Sequence, residues 1–140
     1  MIDAFNVPTI WQPFGAFSMV AVRGDGQIVH LKGQVALDRE GRIVGKGDMR
    51  VQTRNVLENI QEVLAAMGGR MEDVFSLTHY VTDIKGFAGV GDVRREFFRE
   101  PFPVTTTVQV AALYHPDLVV EIAAVAEIPR KRFRHQRQGQ

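Results

Sequence analysis

The chain contains no cysteine, which excludes disulfides, thiolate metal sites and cysteine nucleophiles at once. Histidine is sparse too. His30, His79, His115 and His135 are scattered along the chain, with no His-x-His or His-x-x-x-His pair to place two imidazoles on one metal. No metal is therefore expected. No segment approaches the roughly 18 apolar residues of a membrane span, and the N-terminus lacks a basic stretch followed by an apolar run. The expectation is a cytoplasmic protein without a membrane partner. Internal repeats, low-complexity segments and interdomain linkers are also missing. Of the 140 residues, 45% are hydrophobic and 24% charged, enough to bury one core and build a single domain over residues 1–129.

Charge is uneven although the net value is only +1. Five of the 17 Lys and Arg residues, Arg130, Lys131, Arg132, Arg134 and Arg137, fall after Pro129 with no acid among them, leaving 12 against 16 acidic residues in the body. Residues 130–140 thus read as a basic, flexible tail on a mildly acidic domain. With one aromatic, Phe133, and no recognisable nucleic-acid module beside it, this tail argues against nucleic acid as a partner.

Hydrophobic spacing and turn chemistry divide the body into elements. Residues 17–22 read as a strand, Arg23-Gly24-Asp25-Gly26-Gln27 as a hairpin turn, and residues 28–37 as the partner strand. Asp48 is placed to cap a helix whose apolar stripe is Val56, Ile60, Val63, Leu64 and Met67, and Gly68-Gly69 ends it. Residues 74–81 form a third strand, and a second helix is predicted from about Phe87 to Arg99, closed by Pro101. The order is ββαβαββ, an α+β fold with one mixed sheet covered on one face by two helices. Val35, Leu37, Val108, Val110, Val120 and Ile122 supply more apolar strand surface than two helices can hide, so self-association is expected.

The last third carries most of the chemistry. Residues 103–110 and 118–126 read as two β-branched strands joined by a Tyr-His-Pro-Asp turn, with one carboxylate, Glu121, inside an otherwise apolar run. An acid in such a run is costly unless it serves a partner, a pocket or an interface. Gly33 lies within a strand, where glycine marks either a close backbone approach or a β-bulge.

Several segments resemble, in order and spacing, the RidA family, also called YjgF, of reactive enamine/imine deaminases. Pro103-Val104-Thr105-Thr106-Thr107-Val108-Gln109-Val110 matches that family's Pro-Ala-Arg-Ser-x-Val-x-Val strand, and the apolar run carrying Glu121 matches its last strand. Leu31-Lys32-Gly33-Gln34-Val35 parallels Thr-Ser-Gly-Gln-Ile, and residues 53–60 resemble the first helix. The likeness covers roughly residues 14–128. It implies a chorismate-mutase-like subunit, a homotrimer, intersubunit clefts for a small-molecule ligand, and no cofactor.

Carried over position by position, the resemblance implies that Glu121 orients the attacking water and that the Gly33 backbone contacts substrate. For Glu121 the residues alone leave a structural ion pair open. Other positions depart from the family. Thr105 stands where arginine grips a carboxylate, Phe17 where tyrosine is common, Gly91 where asparagine is common and Thr107 where cysteine is common. Lys32, in place of a small hydroxyl residue, either restores positive charge to the cleft or snorkels at its rim. Trp11, Phe14 and Phe17 either wall a pocket or pack. His30 is either a base or structural, and the three threonines are explained by β-propensity as readily as by nucleophilic chemistry. Losing the guanidinium at position 105 points to a substrate less anionic than a simple imino acid. The resulting expectation is a deaminating hydrolase of small enamines or imines, with a non-catalytic trimeric sensor as the alternative.

Overall fold

The computed structural model describes residues 2–135. Its frame is a four-stranded mixed sheet. In chain order the elements are β1 (Asp3–Phe5), β2 (Val20–Val22), β3 (Gln27–Val35), α1 (Met49–Ala66), β4 (Val74–Val81), α2 (Ile84–Ala88), α3 (Gly91–Arg95), β5 (Val104–Gln109) and β6 (Val120–Ile128), with a 3₁₀ turn at Met71–Asp73. The sheet runs β3-β6-β4-β5, antiparallel except for the β4–β5 pair, while β1 and β2 form a separate ribbon.

The α1 helix forms where capping and stripe predicted it. The Asp48 carboxylate accepts the Val51 N–H at 3.0 Å, satisfying one of the helix's free donors, a contact typically worth about 1 kcal/mol. Val56, Leu57, Ile60 and Leu64 lie on one face and are fully buried, each contributing roughly 1.5–3 kcal/mol by leaving water. They meet Leu77, Val81, Val120, Ile122 and Ala124 from the sheet. At the other end Gly68 takes φ +79°, and a Cβ there would collide with the Arg132 carbonyl. Glycine is required on both counts.

Four expectations need correction. The strand at 20–22 pairs with β1 rather than with β3, and β3 is paired with the distant β6 alone. The second helix is two short pieces, α2 and α3, broken at Gly89-Val90. Strands β5 and β6, adjacent in sequence, are separated in the sheet by β4. Val120 and Ile122 are fully buried beneath α1 rather than on the open face.

The basic tail is also less free than its composition suggests. Arg132 forms an ion pair with the buried Asp73 at 2.7 Å and donates to the Gly68 carbonyl at 2.8 Å, Arg130 Nε donates to the Asp25 carbonyl at 2.8 Å, and the Arg134 N–H reaches the Met67 carbonyl at 2.9 Å. Arg137 and its neighbours at 136–140 lie outside the described residues.

Candidate active site

Alternation along β6 sends Val120, Ile122 and Ala124 under the helices and leaves Glu121 half-buried on the open face. Its cross-strand neighbours are Tyr80 on β4 and Val35 on β3. Gln52 fixes this register from the helix side. Fully buried, it accepts the Val119 N–H at 2.9 Å and donates to the carbonyls of Val44, Gly45 and Asp117 at 2.8–3.2 Å.

Opposite Glu121 the β3–β6 pairing slips between Leu31 and Gln34, so Lys32 and Gly33 form a bulge. The Glu121 carboxylate lies directly over Gly33, in the space a Cβ would occupy. The bulge reading of this strand glycine holds, and the bulge makes room for the carboxylate. Among the described residues no hydrogen bond or ion pair reaches the Glu121 carboxylate. Lys32 is exposed, its Nζ turned to the Gly33 carbonyl at 3.4 Å. Next to it a cavity of about 720 Å³ runs between the β3 edge and α1, lined by Lys32, Gly33, Gln34, Asp38, Asn59 and Glu62.

The other candidate residues gather at the far edge. Thr105, Thr106 and Thr107 pair with Leu77, Thr78 and His79. The Thr107 Oγ1 is 2.9 Å from Nδ1 of the fully buried His79, which places Thr107, and by alternation Thr105, on the helix-covered face. Glu121 and Thr105 therefore occupy opposite faces with β4 between their strands, and within one chain they do not oppose each other. Gly91 opens α3 with free space where a Cβ would go. Phe17 approaches the start of β5 through its neighbour Ser18, which bridges Val104. It lines a second cavity of about 600 Å³ with Ser18, Glu100 and Phe102. Trp11, Phe14 and Phe17 form one ring cluster with centroids 5.2–6.2 Å apart, yet Phe14 is 87% exposed and Trp11 60%.

Two functional candidates escaped the sequence. His79 sits against Phe87 at 4.8 Å, and its Nε2 has no hydrogen-bond partner. Burial, and secondarily the positive charge of Arg94, holds its pKa down at about 3, so the ring is neutral. Arg94 also packs on Phe87, its guanidinium carbon 5.4 Å from the ring centre. The only available signal was period-two alternation, which assigns His79 to the same face as Leu77 and Val81.

Residues 9–128 match the family described as Endoribonuclease L-PSP. A RutC family protein of Pyrococcus horikoshii is 36% identical over 115 residues, spanning 82% of this chain and 89% of the relative. Among solved structures, a Yersinia pestis protein of unknown function from the conserved Rid protein family is 30% identical with a TM-score of 0.78, over 91% of this chain and 98% of that one. RidA from an Antarctic Psychrobacter is 31% identical with a TM-score of 0.67, over 84% and 92%.

Proposed function

The chain belongs to the Rid/YjgF family, and on that footing we propose that it hydrolyses a small enamine or imine in clefts shared by neighbouring copies of a homotrimer. The observation that carries the proposal is the unpartnered, half-buried Glu121 carboxylate resting on Gly33. A carboxylate held at a water-accessible sheet face can take a proton from water as the oxygen attacks the imine carbon. The C=N bond becomes a single bond and the nitrogen takes up a proton. From that carbinolamine the C–N bond breaks, ammonia leaves and a carbonyl compound remains. An enamine enters the same sequence after tautomerising to the imine.

The need for a second copy follows from the separation of the two edges. Glu121, Gly33 and Lys32 stand at the β3–β6 side, whereas Phe17, Gly91, Thr105 and Thr107 stand at the β5 side. Head-to-tail closure about a three-fold axis would bring one edge against the other. Exposed apolar residues support such an assembly, among them Val108 on the open face and the Trp11–Phe14 pair.

An endoribonuclease, as the family description has it, is less well supported. The described part of the basic tail spends Arg132 on Asp73 and Arg130 on a backbone carbonyl, leaving little of it to meet phosphates.

Ammonia release from 2-iminopropanoate tests the proposal, with a neutral cyclic imine and an aromatic enamine as companions. Glu121→Gln, which removes the base and preserves the shape, should lower turnover about a hundred-fold or more while leaving the assembly's mass unchanged. Equal turnover in an assembled Glu121→Gln protein would remove the residue from the reaction. Ligand-dependent thermal stabilisation without ammonia release from any of the three compounds would favour a sensor.

A further inference from the structure

Two arginines of α1 are neutralised by acids of the α3 region, while Arg95 and Arg99 are exposed to solvent and Arg94 is half-buried. Arg50 pairs with Asp92 at 2.8 Å and Arg54 with Glu96 at 2.7 Å, which takes up the acids flanking Arg94 in sequence. Arg94 itself makes no ion pair or hydrogen bond among the described residues, and its Nε is sealed from solvent without a partner. The side chain as a whole is half-buried, so part of it still meets water. Burial, followed by the nearby charge of Arg95, depresses its pKa, although a guanidinium stays protonated across the working range. The face of Phe87 gives it some compensation. Beside it lies the second unpartnered nitrogen of the region, His79 Nε2.

A partly desolvated cation with no counter-ion is costly and favours an anion. The neighbouring groups can accompany one. Thr105 and Thr107 present hydroxyls on the same sheet face, His79 is neutral, and the flanking acids Asp92 and Glu96 are held by Arg50 and Arg54. Position 105 is also where the family strand has arginine, so the guanidinium missing from β5 has a counterpart on α3 behind the same strand face.

We propose that Arg94 is the anion-binding residue of this protein and receives the carboxylate of the substrate, in the cleft to which the neighbouring copy brings Glu121. That the anion is a substrate rests on the enamine/imine proposal; that Arg94 binds a small carboxylate does not. The expectation of an uncharged substrate considered position 105 alone, and with Arg94 it reverses. Charge-assisted, two-pronged binding of this kind is specific to a planar carboxylate, which lysine reproduces only as a point charge.

The test is binding of pyruvate, with methyl pyruvate as the uncharged control, to the full chain by calorimetry. Arg94→Gln should weaken pyruvate binding about ten- to a hundred-fold, Arg94→Lys by less, and neither should alter methyl pyruvate binding. In the unaltered protein the Arg94 Nε–Hε resonance should shift on adding pyruvate, which keeps the test valid if the variants fold poorly. A Thr105→Arg change in the Arg94→Gln background should recover pyruvate binding. Unchanged pyruvate affinity in folded Arg94→Gln, or an Arg94 resonance indifferent to saturating pyruvate, would overturn the proposal. Arg94-dependent pyruvate binding without ammonia release from any imine would instead leave the anion site standing and remove the hydrolase.

Discussion

The two edges of the sheet hold opposite charges under opposite conditions. At the β3–β6 edge a carboxylate sits half in water on the open face, with a glycine bulge making room for it. Toward the β5 edge a half-buried guanidinium on α3 and a buried, neutral imidazole on β4 each keep a nitrogen unpartnered. Each edge lacks what the other has. A fold that needed these groups only for stability would gain by pairing them, since an uncompensated buried charge or polar group costs more than a satisfied one returns. Keeping them apart within the chain makes sense if a second copy and a ligand bring them together.

The helix-side half of this contrast responds most strongly to pH. His79 has an ordinary pKa of 6.5 in the unfolded chain and about 3 in the fold. Between these values the unfolded chain binds a proton that the native state refuses, so stability falls as pH drops through this window. Unfolding in urea at pH 7 and pH 5 should show a loss of about 2 kcal/mol from this group, and His79→Gln should remove that part of the slope. An equal slope in the variant would mean that the ring is not held neutral. At the open edge the effect is smaller. Gly33→Ala places a methyl group against the movable end of Glu121, so the unfolding free energy should change little, by less than about 1 kcal/mol, while turnover drops several-fold as the carboxylate shifts. Full turnover in Gly33→Ala would separate the bulge from the chemistry.

Local chemistry made much of this fold legible. Asp48 with its apolar stripe located α1, and the run from Val74 to Val81 located β4 with its bounds intact. Sheet order was hidden, because β6 enters between β3 and β4 through contacts far apart in the chain, and no turn residue records that. For the site, Glu121 and Gly33 could be singled out because an acid and a glycine interrupt apolar strands. The structure adds that they touch. Arg94 stayed invisible for a physical reason. It is one of three arginines within six residues, Arg94, Arg95 and Arg99, beside Asp92 and Glu96, and only the fold reveals that Arg50 and Arg54 have claimed those acids. Position 105 was legible as a loss, and its counterpart on α3 was not.

The most direct test of a shared site is complementation between two impaired variants. Glu121→Gln and Arg94→Gln proteins, each weak in releasing ammonia from 2-iminopropanoate, are unfolded together, refolded and checked by native mass spectrometry for mixed assemblies. If one copy supplies the acid and its neighbour the guanidinium, about a quarter of the clefts in an equal mixture regain both groups, and activity should rise toward that share of the unaltered protein. Mixed assemblies no more active than the average of their two parents would contradict the account.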